Sequence, residues 1–198
     1  YSFLRYAPHT AGLRAIRKTV AVTTGPVNTC NPGTQVTIDG TNNFLWVPIT
    51  GPDGNIMAEI NAMGQSLGVV NSSFFKHSGA LRSIGGKRYL DRNITITPTV
   101  TSFATPVKVR LYISKAEFDA LAADPVSLIG SILQLKVLKN SDPCSATIGL
   151  TTTMLTPTNT LVPDLQQGAN GYVLQVDVTG FSSFYFGSSN ISLPLSLL

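Results

Sequence analysis

The chain has few charged side chains. Asp, Glu, Lys and Arg make up 12% of its 198 residues, whereas about 25% is typical of soluble globular domains. Thr, Ser, Asn and Gly supply most of the remaining polarity, as is common in proteins that fold outside cells. The net charge of +4 comes from scattered residues, and basic residues lie close together only at Arg14, Arg17 and Lys18, and at Lys87 and Arg88. Because nucleic-acid-binding domains concentrate basic residues in one patch, we expect no nucleic-acid partner.

A long apolar segment is also lacking. No run of about 20 apolar residues is present, so we predict no membrane span. The sequence begins at Tyr1 without a signal peptide and ends in the apolar run Leu193 to Leu198, so we interpret it as a piece of a longer protein. We expect a lead-in or linker over residues 1–18, one β-sandwich domain over residues 19–190, and an exit linker over residues 191–198 towards a further C-terminal domain.

Cysteine is scarce as well, because the chain has two, Cys30 and Cys144. Each has a turn-like context, with Pro32 shortly after the first and Pro143 directly before the second. An even count in a Thr-rich chain with little charge favours a disulfide, and two buried free thiols in a reducing compartment are the alternative. A bridge that closes so long a loop would stabilise the fold by about 3 to 5 kcal/mol.

Short apolar or alternating runs, separated by Gly, Pro, Asn and Asp, begin at Thr19 and continue along the chain. This pattern is typical of antiparallel strands joined by turns. The best-defined turn is Pro52-Asp53-Gly54, because proline fixes φ and glycine tolerates positive φ. Alternation in one run predicts that Val107, Val109 and Leu111 point inward. The candidate strands are Thr19 to Val22, Thr34 to Ile38, Phe44 to Ile49, Asn55 to Ile60, Leu67 to Lys76, Arg88 to Thr97, Val107 to Ile113, Leu133 to Lys139, Ile148 to Met154, Tyr172 to Val178 and Ser182 to Phe186.

One helical segment interrupts the strands. Ser114-Lys115-Ala116-Glu117 has the capping-box pattern, in which the Ser114 hydroxyl and the Glu117 carboxylate accept each other's backbone amides. The helix should end at Asp124-Pro125, since the residue before a proline disfavours helical geometry. Together these elements predict an all-β fold, an antiparallel β-sandwich that is Ig-like or related, with one short helix.

Several strings resemble a module of secreted and cell-surface proteins of Bacteroidota that precedes the C-terminal sorting domain of type IX secretion. The resemblance covers Thr19 to Leu198 and implies secretion by that route, with the join to the sorting domain at Ile191-Ser192-Leu193-Pro194-Leu195. The sorting domain itself is not in this chain. The strings are Trp46-Val47-Pro48-Ile49, Gly54-Asn55-Ile56-Met57-Ala58-Glu59-Ile60-Asn61, Tyr89-Leu90-Asp91-Arg92-Asn93-Ile94-Thr95-Ile96-Thr97-Pro98, Val109-Arg110-Leu111-Tyr112-Ile113 with Ala116-Glu117-Phe118, and Gly180-Phe181-Ser182-Ser183-Phe184-Tyr185-Phe186-Gly187.

Catalytic residue patterns are sparse. The two histidines, His9 and His77, have no spaced partner for zinc, and no Gly-x-Ser-x-Gly elbow is present. Most carboxylates have a structural interpretation as turn or helix residues, which leaves Glu59, Asp91 and Asp177 for a hydrolase built on paired carboxylates. Nothing local in the sequence supports such a site. We therefore predict a protein that is not an enzyme, with no cofactor and no metal.

Aromatic residues are the remaining candidates for ligand binding. Trp46, Phe44 and Pro48 alternate and should share one face of a strand, where core packing is the simpler interpretation and ring stacking on a sugar the alternative. In the last strand Phe184 and Phe186 should share one face, which leaves Tyr185 on the other and open to ligand. Lys108, Arg110 and Tyr112 should share a solvent face, and Arg88 with Arg92 could extend it as a basic stripe, although an ordinary polar sheet face is favoured.

We therefore predict a non-catalytic extracellular or cell-surface module, structural or adaptor in role, within a larger secreted or surface-anchored protein. Its expected partners are neighbouring domains of the same polypeptide and the secretion and anchoring machinery. The first alternative is a carbohydrate-binding or adhesive module that uses Trp46 or Tyr185. The second is a self-assembling filament subunit that pairs through strand edges.

Overall fold

Two antiparallel sheets form the fold, as a computed structural model describes it for residues 21–79, 81–144, 148, 152–161 and 170–189. The predicted lead-in (1–18) and exit linker (191–198), together with His9, lie outside the described residues. The all-β sandwich prediction is confirmed. The strands are β1 (Cys30–Pro32), β2 (Val36–Ile38), β3 (Val47–Thr50), β4 (Ile56–Asn61), β5 (Gly68–Lys76), β6 (Arg82–Ile84), β7 (Lys87–Tyr89), β8 (Arg92–Pro98), β9 (Val107–Ser114), β10 (Leu135–Asn140), β11 (Thr153–Leu155), β12 (Asn159–Leu161), β13 (Gly171–Val178) and β14 (Ser183–Ser188).

The larger sheet has nine strands, in the order β1-β5-β8-β14-β10-β11, with β2 also paired to β5, β7 to β14, and β6 to β7. The smaller sheet has five, in the order β12-β13-β9-β4-β3. Strands that are neighbours in a sheet are often distant in sequence: β9 lies between β4 and β13, and β14 lies between β8 and β10. The fold is therefore held by long-range pairing.

The core lies between the inner faces of the two sheets. Val107, Val109 and Leu111 of β9 are fully buried there, as their alternation predicts. Phe184 and Phe186 of β14 face them from the larger sheet, also fully buried. Each such side chain contributes about 1.5 to 3 kcal/mol through removal from water, so this period-two pattern fixes which way each sheet faces.

The hairpin of β3 and β4 confirms the best-defined predicted turn. Gly54 takes a φ of +75°, which glycine adopts without steric cost. The Asp53 carboxylate accepts hydrogen bonds from the Thr23 hydroxyl (2.6 Å), the Thr24 amide (2.8 Å) and the Asn55 amide (3.1 Å). Partial burial works against the charged form, but these bonds outweigh it and lower the pKa of Asp53 to about 2. Asp53 thus ties the segment before β1 to the hairpin.

The helix α1 (Lys115–Ala123) follows β9 directly, and its capping box is present as predicted. The Ser114 hydroxyl accepts from the Glu117 amide at 3.1 Å, and the Glu117 carboxylate accepts from the Ser114 amide at 2.8 Å. The helix stops before Asp124, as the following proline requires. Its Phe118 packs edge-on against Tyr172, with ring centroids 5.2 Å apart, and this contact holds the helix against the smaller sheet.

Several predicted strands have different limits in the structure. The run Arg88 to Thr97 is divided between β7 and β8, because β7 turns back through Gly85 and Gly86 to pair with β6. Of the run Thr19 to Val22, the described part forms one isolated parallel bridge, between Val22 and Ile56. The prediction had no strand at β1, β6 or β12, since each has three residues and too few positions to show a period.

The predicted disulfide between Cys30 and Cys144 is confirmed, with the Cα atoms 6.0 Å apart. Cys30 lies in edge strand β1, and β10 is separated from that strand by β14, β8 and β5. Residues 141–144, here called the strap, leave the end of β10 and run across the outer face of the larger sheet, so that Cys144 reaches Cys30. On the way the strap accepts hydrogen bonds from Ser183 of β14 (2.7 Å, to the Asp142 carbonyl) and Asn93 of β8 (2.6 Å, to the Cys144 carbonyl).

Candidate ligand-binding face

Trp46 lies on the outer face of the smaller sheet, just before β3. Its ring is half-buried and packs over the guanidinium of Arg110, whose central carbon is 3.8 Å from the ring centroid. Phe44 is 72% exposed and Pro48 is exposed too. The core-packing interpretation of these three residues is therefore wrong, because Phe44 and Pro48 are exposed and Trp46 is only half-buried, with Phe44 and Trp46 in the loop before β3.

Charged and amide side chains on this outer face form a paired row. Arg110 donates to the Glu59 carboxylate at 3.2 Å and to the Gln175 side-chain oxygen at 3.3 Å. Alongside it, the Lys108 ammonium is 3.1 Å from the Asp177 carboxylate. Register explains the arrangement, since β4, β9 and β13 place Glu59, Arg110 and Gln175 directly opposite one another. The face carries both signs of charge in neutralised pairs.

Tyr112 points to this same face but is buried rather than exposed. Its ring is covered by Val22, Val173 and Ile56. Val22 reaches it because the segment before β1 pairs with Ile56 at the start of β4. Its hydroxyl donates to Glu59 at 2.8 Å. Burial, together with this bond and the Glu59 charge, raises the pKa of Tyr112. The tyrosine thus anchors Glu59 and offers no surface to a ligand.

Arg88 and Arg92 do not extend this face as a basic stripe, the alternative to the favoured polar face, because both belong to the larger sheet. Arg88 pairs with Asp124 after the helix, at 3.1 Å. Arg92 is 1% exposed and its guanidinium lies 2.8 Å from the Glu117 carboxylate. A buried arginine beside a buried glutamate is a structural ion pair, and it leaves Lys108 and Arg110 as the basic residues of the smaller sheet's face.

Two loops beside Trp46 expose apolar side chains. Phe44 and Leu45 are 72% and 62% exposed, and Met63 of the facing loop is 43% exposed. We call Phe44, Leu45, Trp46 and Met63 the apolar platform. The Phe44 ring lies against the backbone of Gly64, where an added Cβ would meet the ring at 2.6 Å. The sequence pattern points to Phe44 and Trp46 but not to Leu45 or Met63, because alternation assigns successive residues of a strand to opposite faces and these residues lie in loops.

Hydrogen bonds join the two loops of the apolar platform. Asn43 is buried, its side chain donates to the Gly64 carbonyl at 2.7 Å, and its own carbonyl accepts from the Gly64 amide at 3.0 Å. Asn61 donates to the Phe44 carbonyl at 3.0 Å and accepts from the Met63 amide at 2.9 Å. Met63 itself has a φ of +53°, a conformation that costs a non-glycine residue energy. The platform is thus a fixed feature of the surface.

Tyr185 is not available to a ligand, so the prediction of an exposed ring at this position is wrong. Its side chain is fully buried on the outer face of the larger sheet, in a cluster with Tyr89, Leu138 and Ile148. Ile148 and the partly buried Ile84 cover this part of the sheet. Alternation correctly placed Tyr185 opposite Phe184 and Phe186, but a second layer of chain turns that outer face into a small second core.

A buried arginine, which sequence analysis missed, completes this second core. The Arg82 guanidinium lies over the rings of Tyr89 (4.8 Å) and Tyr185 (5.2 Å). It donates to the Leu90 carbonyl at 3.0 Å and to the Asn93 side chain at 2.9 Å. Burial lowers the pKa of Arg82, while the neighbouring tyrosines and Asp91 oppose that shift. The sequence offers no signal for this contact, since Arg82 and Tyr185 are far apart along the chain.

The three carboxylates left as hydrolase candidates do not meet in one site. Glu59 and Asp177 lie on the smaller sheet's outer face, each with a basic partner. Asp91 lies between β7 and β8 of the larger sheet, where it lines an open cleft of about 460 Å³ beside α1 together with Lys76 and Glu117. Burial and the nearby Glu117 charge raise the pKa of Asp91, although Lys76 and two arginines partly offset them. Both Glu117 oxygens are already bonded, to Arg92 and to the Ser114 amide.

Within the described ranges no group of three or more His, Cys, Asp or Glu side chains could hold a metal ion. His77 is half-buried at the end of β5, where its Nδ1 accepts from the Gly79 amide at 3.0 Å. Over the same part of the chain, no helix has the length and apolar character that crossing a membrane requires. The apolar platform and the paired polar row next to it are therefore the surface best suited to a ligand.

Comparison with known proteins gives no relative. No family model matches the chain, and neither a curated protein nor a solved structure matches it.

Proposed function

We propose that this chain is a non-catalytic structural or adaptor module that folds outside the cell and spaces or presents neighbouring domains of a larger secreted or surface-anchored protein. The observation that carries the proposal is the strap, which crosses the larger sheet and ends in the disulfide to the edge strand β1. Such a bridge persists in oxidising compartments and resists local opening of the sheet edge. A module that links other domains benefits from both properties.

The state of the carboxylates supports a non-catalytic role. Glu59, Glu117, Asp124 and Asp177 each have an arginine or lysine partner within the described structure. Asp53 is bonded within a turn. General acid and base catalysis needs a group that can approach substrate and exchange a proton, and groups held in this way stabilise the fold instead.

The resemblance to the module that precedes a type IX sorting domain supports the location in this proposal. It implies secretion, surface attachment and contact with the secretion and anchoring machinery. Low charge and the disulfide are compatible with an extracellular setting.

The sheet edges disfavour the alternative of a filament subunit. Among the described strands, the edge strands β1, β2, β6, β11 and β12 have three residues each, and β3 has four. Proline occupies Pro32 in β1 and Pro48 in β3, and β3 also has a register shift between Ile49 and Thr50. Short strands, proline and bulges are the devices that keep an edge from pairing with another chain.

A domain exchange in the full-length protein tests the structural role. Replacing residues 21–189 with an unrelated disulfide-bonded β-sandwich of similar length should leave secretion, surface display and the activity of the neighbouring domains unchanged. Deleting the same residues should reduce display or activity, because the spacing is lost. If the exchanged protein behaves like the deletion, the module has a specific function and the structural proposal fails.

A second candidate function, carbohydrate binding or adhesion, is favoured by one observation: the only tryptophan of the chain, Trp46, is half-buried on a solvent face beside the exposed Phe44. Monomeric proteins rarely leave adjacent large apolar rings exposed without a binding role. Retention of the full-length protein on immobilised polysaccharides, compared with a Trp46→Ala variant, tests this function. Equal retention of both proteins, or none, would contradict it at this site.

A further inference from the structure

We infer that the apolar platform and the paired row of Glu59, Arg110 and Gln175 form one binding face for a neutral polysaccharide chain. The inference rests on the second candidate function and adds to it the residues, the direction of the ligand and its charge class. Trp46 joins the two parts, because it belongs to the platform and its ring packs on Arg110.

The platform supplies the stacking surface. The Phe44 ring lies against Gly64, where the absence of a side chain allows close approach, and the ring remains 72% exposed. An aromatic ring fixed in this way loses little conformational entropy on binding. The C–H bonds on the flat side of a pyranose ring can pack on it, which removes apolar surface of both partners from water.

The paired row supplies the hydrogen bonds. Arg110 and Gln175 offer N–H donors, and the carboxylate of Glu59 and the amide oxygen of Gln175 accept. Sugar hydroxyls both donate and accept, so a row of mixed donors and acceptors suits them. The row crosses three strands, β4, β9 and β13, a distance of about 10 Å at the usual strand spacing, and Trp46 beside β3 extends the face by about one further strand. A chain of several sugar units can lie across it.

Charge selects a neutral ligand. Arg110 is paired with Glu59, and Lys108 with Asp177, so the face carries no uncompensated positive group for a uronate or sulfate among its described residues. An anionic polysaccharide would lose hydration of its charges without gaining a free cationic partner on this face, which disfavours binding. The same balance disfavours a nucleic acid or an anionic lipid surface.

Preorganisation distinguishes this surface from an incidental apolar patch. Asn43 and Asn61 fix both loops through four hydrogen bonds, and Met63 is held at a positive φ. Backbone strain of this kind persists only where the surrounding structure imposes it. The bonds therefore hold Phe44 and Met63 in their exposed positions before a ligand arrives, and Asn43 and Asn61 are positioning residues.

The single tryptophan makes a direct test possible. The oxidised protein is titrated with neutral hexasaccharides (gluco-, xylo- and manno-configured) and with hexagalacturonate, while tryptophan emission is followed. At least one neutral sugar should give a saturable blue shift, because it displaces water from Trp46, and hexagalacturonate should give none. In Phe44→Ala, which keeps the reporter, the dissociation constant should rise about 10-fold or more. The control Leu133→Ala removes a similarly exposed apolar side chain (69%) from the 3₁₀ turn before β10, away from the platform, and should leave the dissociation constant unchanged.

The outcomes separate this inference from the function on which it rests. Binding to hexagalacturonate alone, or binding that Phe44→Ala leaves intact, overturns the inference and keeps a carbohydrate-binding function. No response to any sugar overturns both. Sedimentation velocity of the wild type and of Phe44→Ala tests whether a second copy of the chain occupies the platform instead. If the wild type is a dimer and Phe44→Ala is a monomer, a second copy covers the platform and the inference fails. Urea unfolding of Phe44→Ala should match the wild type, which shows that lost binding is not lost folding.

Discussion

Removal of either partner of the buried ion pair between Arg92 and Glu117 should destabilise the fold severely. Arg92 is 1% and Glu117 5% exposed, and the guanidinium also donates to the Thr23 carbonyl at 2.8 Å and lies over the Phe74 ring. The pair therefore joins β8, the helix α1, β5 and the segment before β1. We expect Arg92→Met and Glu117→Gln each to cost about 3 to 5 kcal/mol, because each removes the main partner of a buried charge. Arg92→Met should lie at the lower end of that range, since Lys76 remains 3.9 Å from the Glu117 carboxylate. The range corresponds to a fall in Tm of roughly 6 to 20 °C for a domain of this size.

The double variant separates the pair from its surroundings. Arg92→Met with Glu117→Gln removes both buried charges at this point. The Glu117→Gln change also preserves the helix cap, because a glutamine at the third helical position can keep the capping-box bond to Ser114. The cost of the double variant should therefore be smaller than the sum of the two single costs by about 2 kcal/mol or more. Urea unfolding of the oxidised protein, followed by circular dichroism and by Trp46 fluorescence, measures all three variants.

The pH dependence of the two single variants should differ. In the wild type, burial would raise the pKa of Glu117, but the Arg92 charge and the Ser114 bonds outweigh it and lower that pKa. The resulting stability is present above the carboxyl's unfolded pKa and is lost as the pH falls through its lowered folded pKa. Without Arg92 the remaining carboxyl can take up a proton, so the Arg92→Met penalty should shrink at acid pH. The Glu117→Gln penalty should persist, because arginine does not deprotonate.

Costs below about 1 kcal/mol for both single variants, the value of an exposed ion pair, would refute this reasoning. They would mean that water reaches the pair and screens it. Additive costs in the double variant would likewise contradict a direct interaction.

Three further predictions concern other parts of the fold. Reduction of the bridge between Cys30 and Cys144, which closes a sequence separation of 114 residues, should lower the free energy of unfolding by about 3 to 5 kcal/mol. Urea unfolding with and without dithiothreitol measures this change. Superimposed curves would contradict the idea that the strap and its disulfide stabilise the fold. Tyr185→Ala should cost about 3 to 5 kcal/mol and leave glycan binding intact, because it creates a cavity in a buried cluster; thermal unfolding beside a sugar titration checks both parts. Asp53→Asn should flatten the acid loss of stability between pH 3.8 and about 2, since the lowered pKa of Asp53 supports folding above that window; an unchanged acid slope in pH-dependent urea unfolding would contradict it.

Local sequence patterns predicted structure correctly where the residues that determine an element lie close together along the chain. The turn around Gly54 and the capping box of Ser114 and Glu117 depend on residues within five positions of one another, and the structure contains both. The alternation in β9 identified Val107, Val109 and Leu111 as core residues for the same reason, since period two assigns successive side chains to opposite faces.

Which outer faces meet solvent depended on chain that is distant in sequence. Local alternation predicts an exposed Tyr185 and favours core packing for Trp46, and the structure reverses both. Ile148 and Ile84 cover Tyr185, whereas Trp46 is half-buried on the solvent side, over Arg110. Likewise, the sequence alone predicts a surface position for Arg92, whereas in the fold the helix places Glu117 beside it and both are buried.

The sequence by itself therefore determined the all-β class, the hairpin, the helix with its cap and the inner faces of the long strands, and it favoured the disulfide that the structure forms. The tertiary structure alone decided which carboxylates pair with which bases, that a second small core surrounds Arg82, and that Phe44 joins Met63 on an exposed platform. The physical reason is one of range. Backbone geometry and period two act between near neighbours along the chain, whereas burial and charge pairing depend on which distant segments lie against a given face.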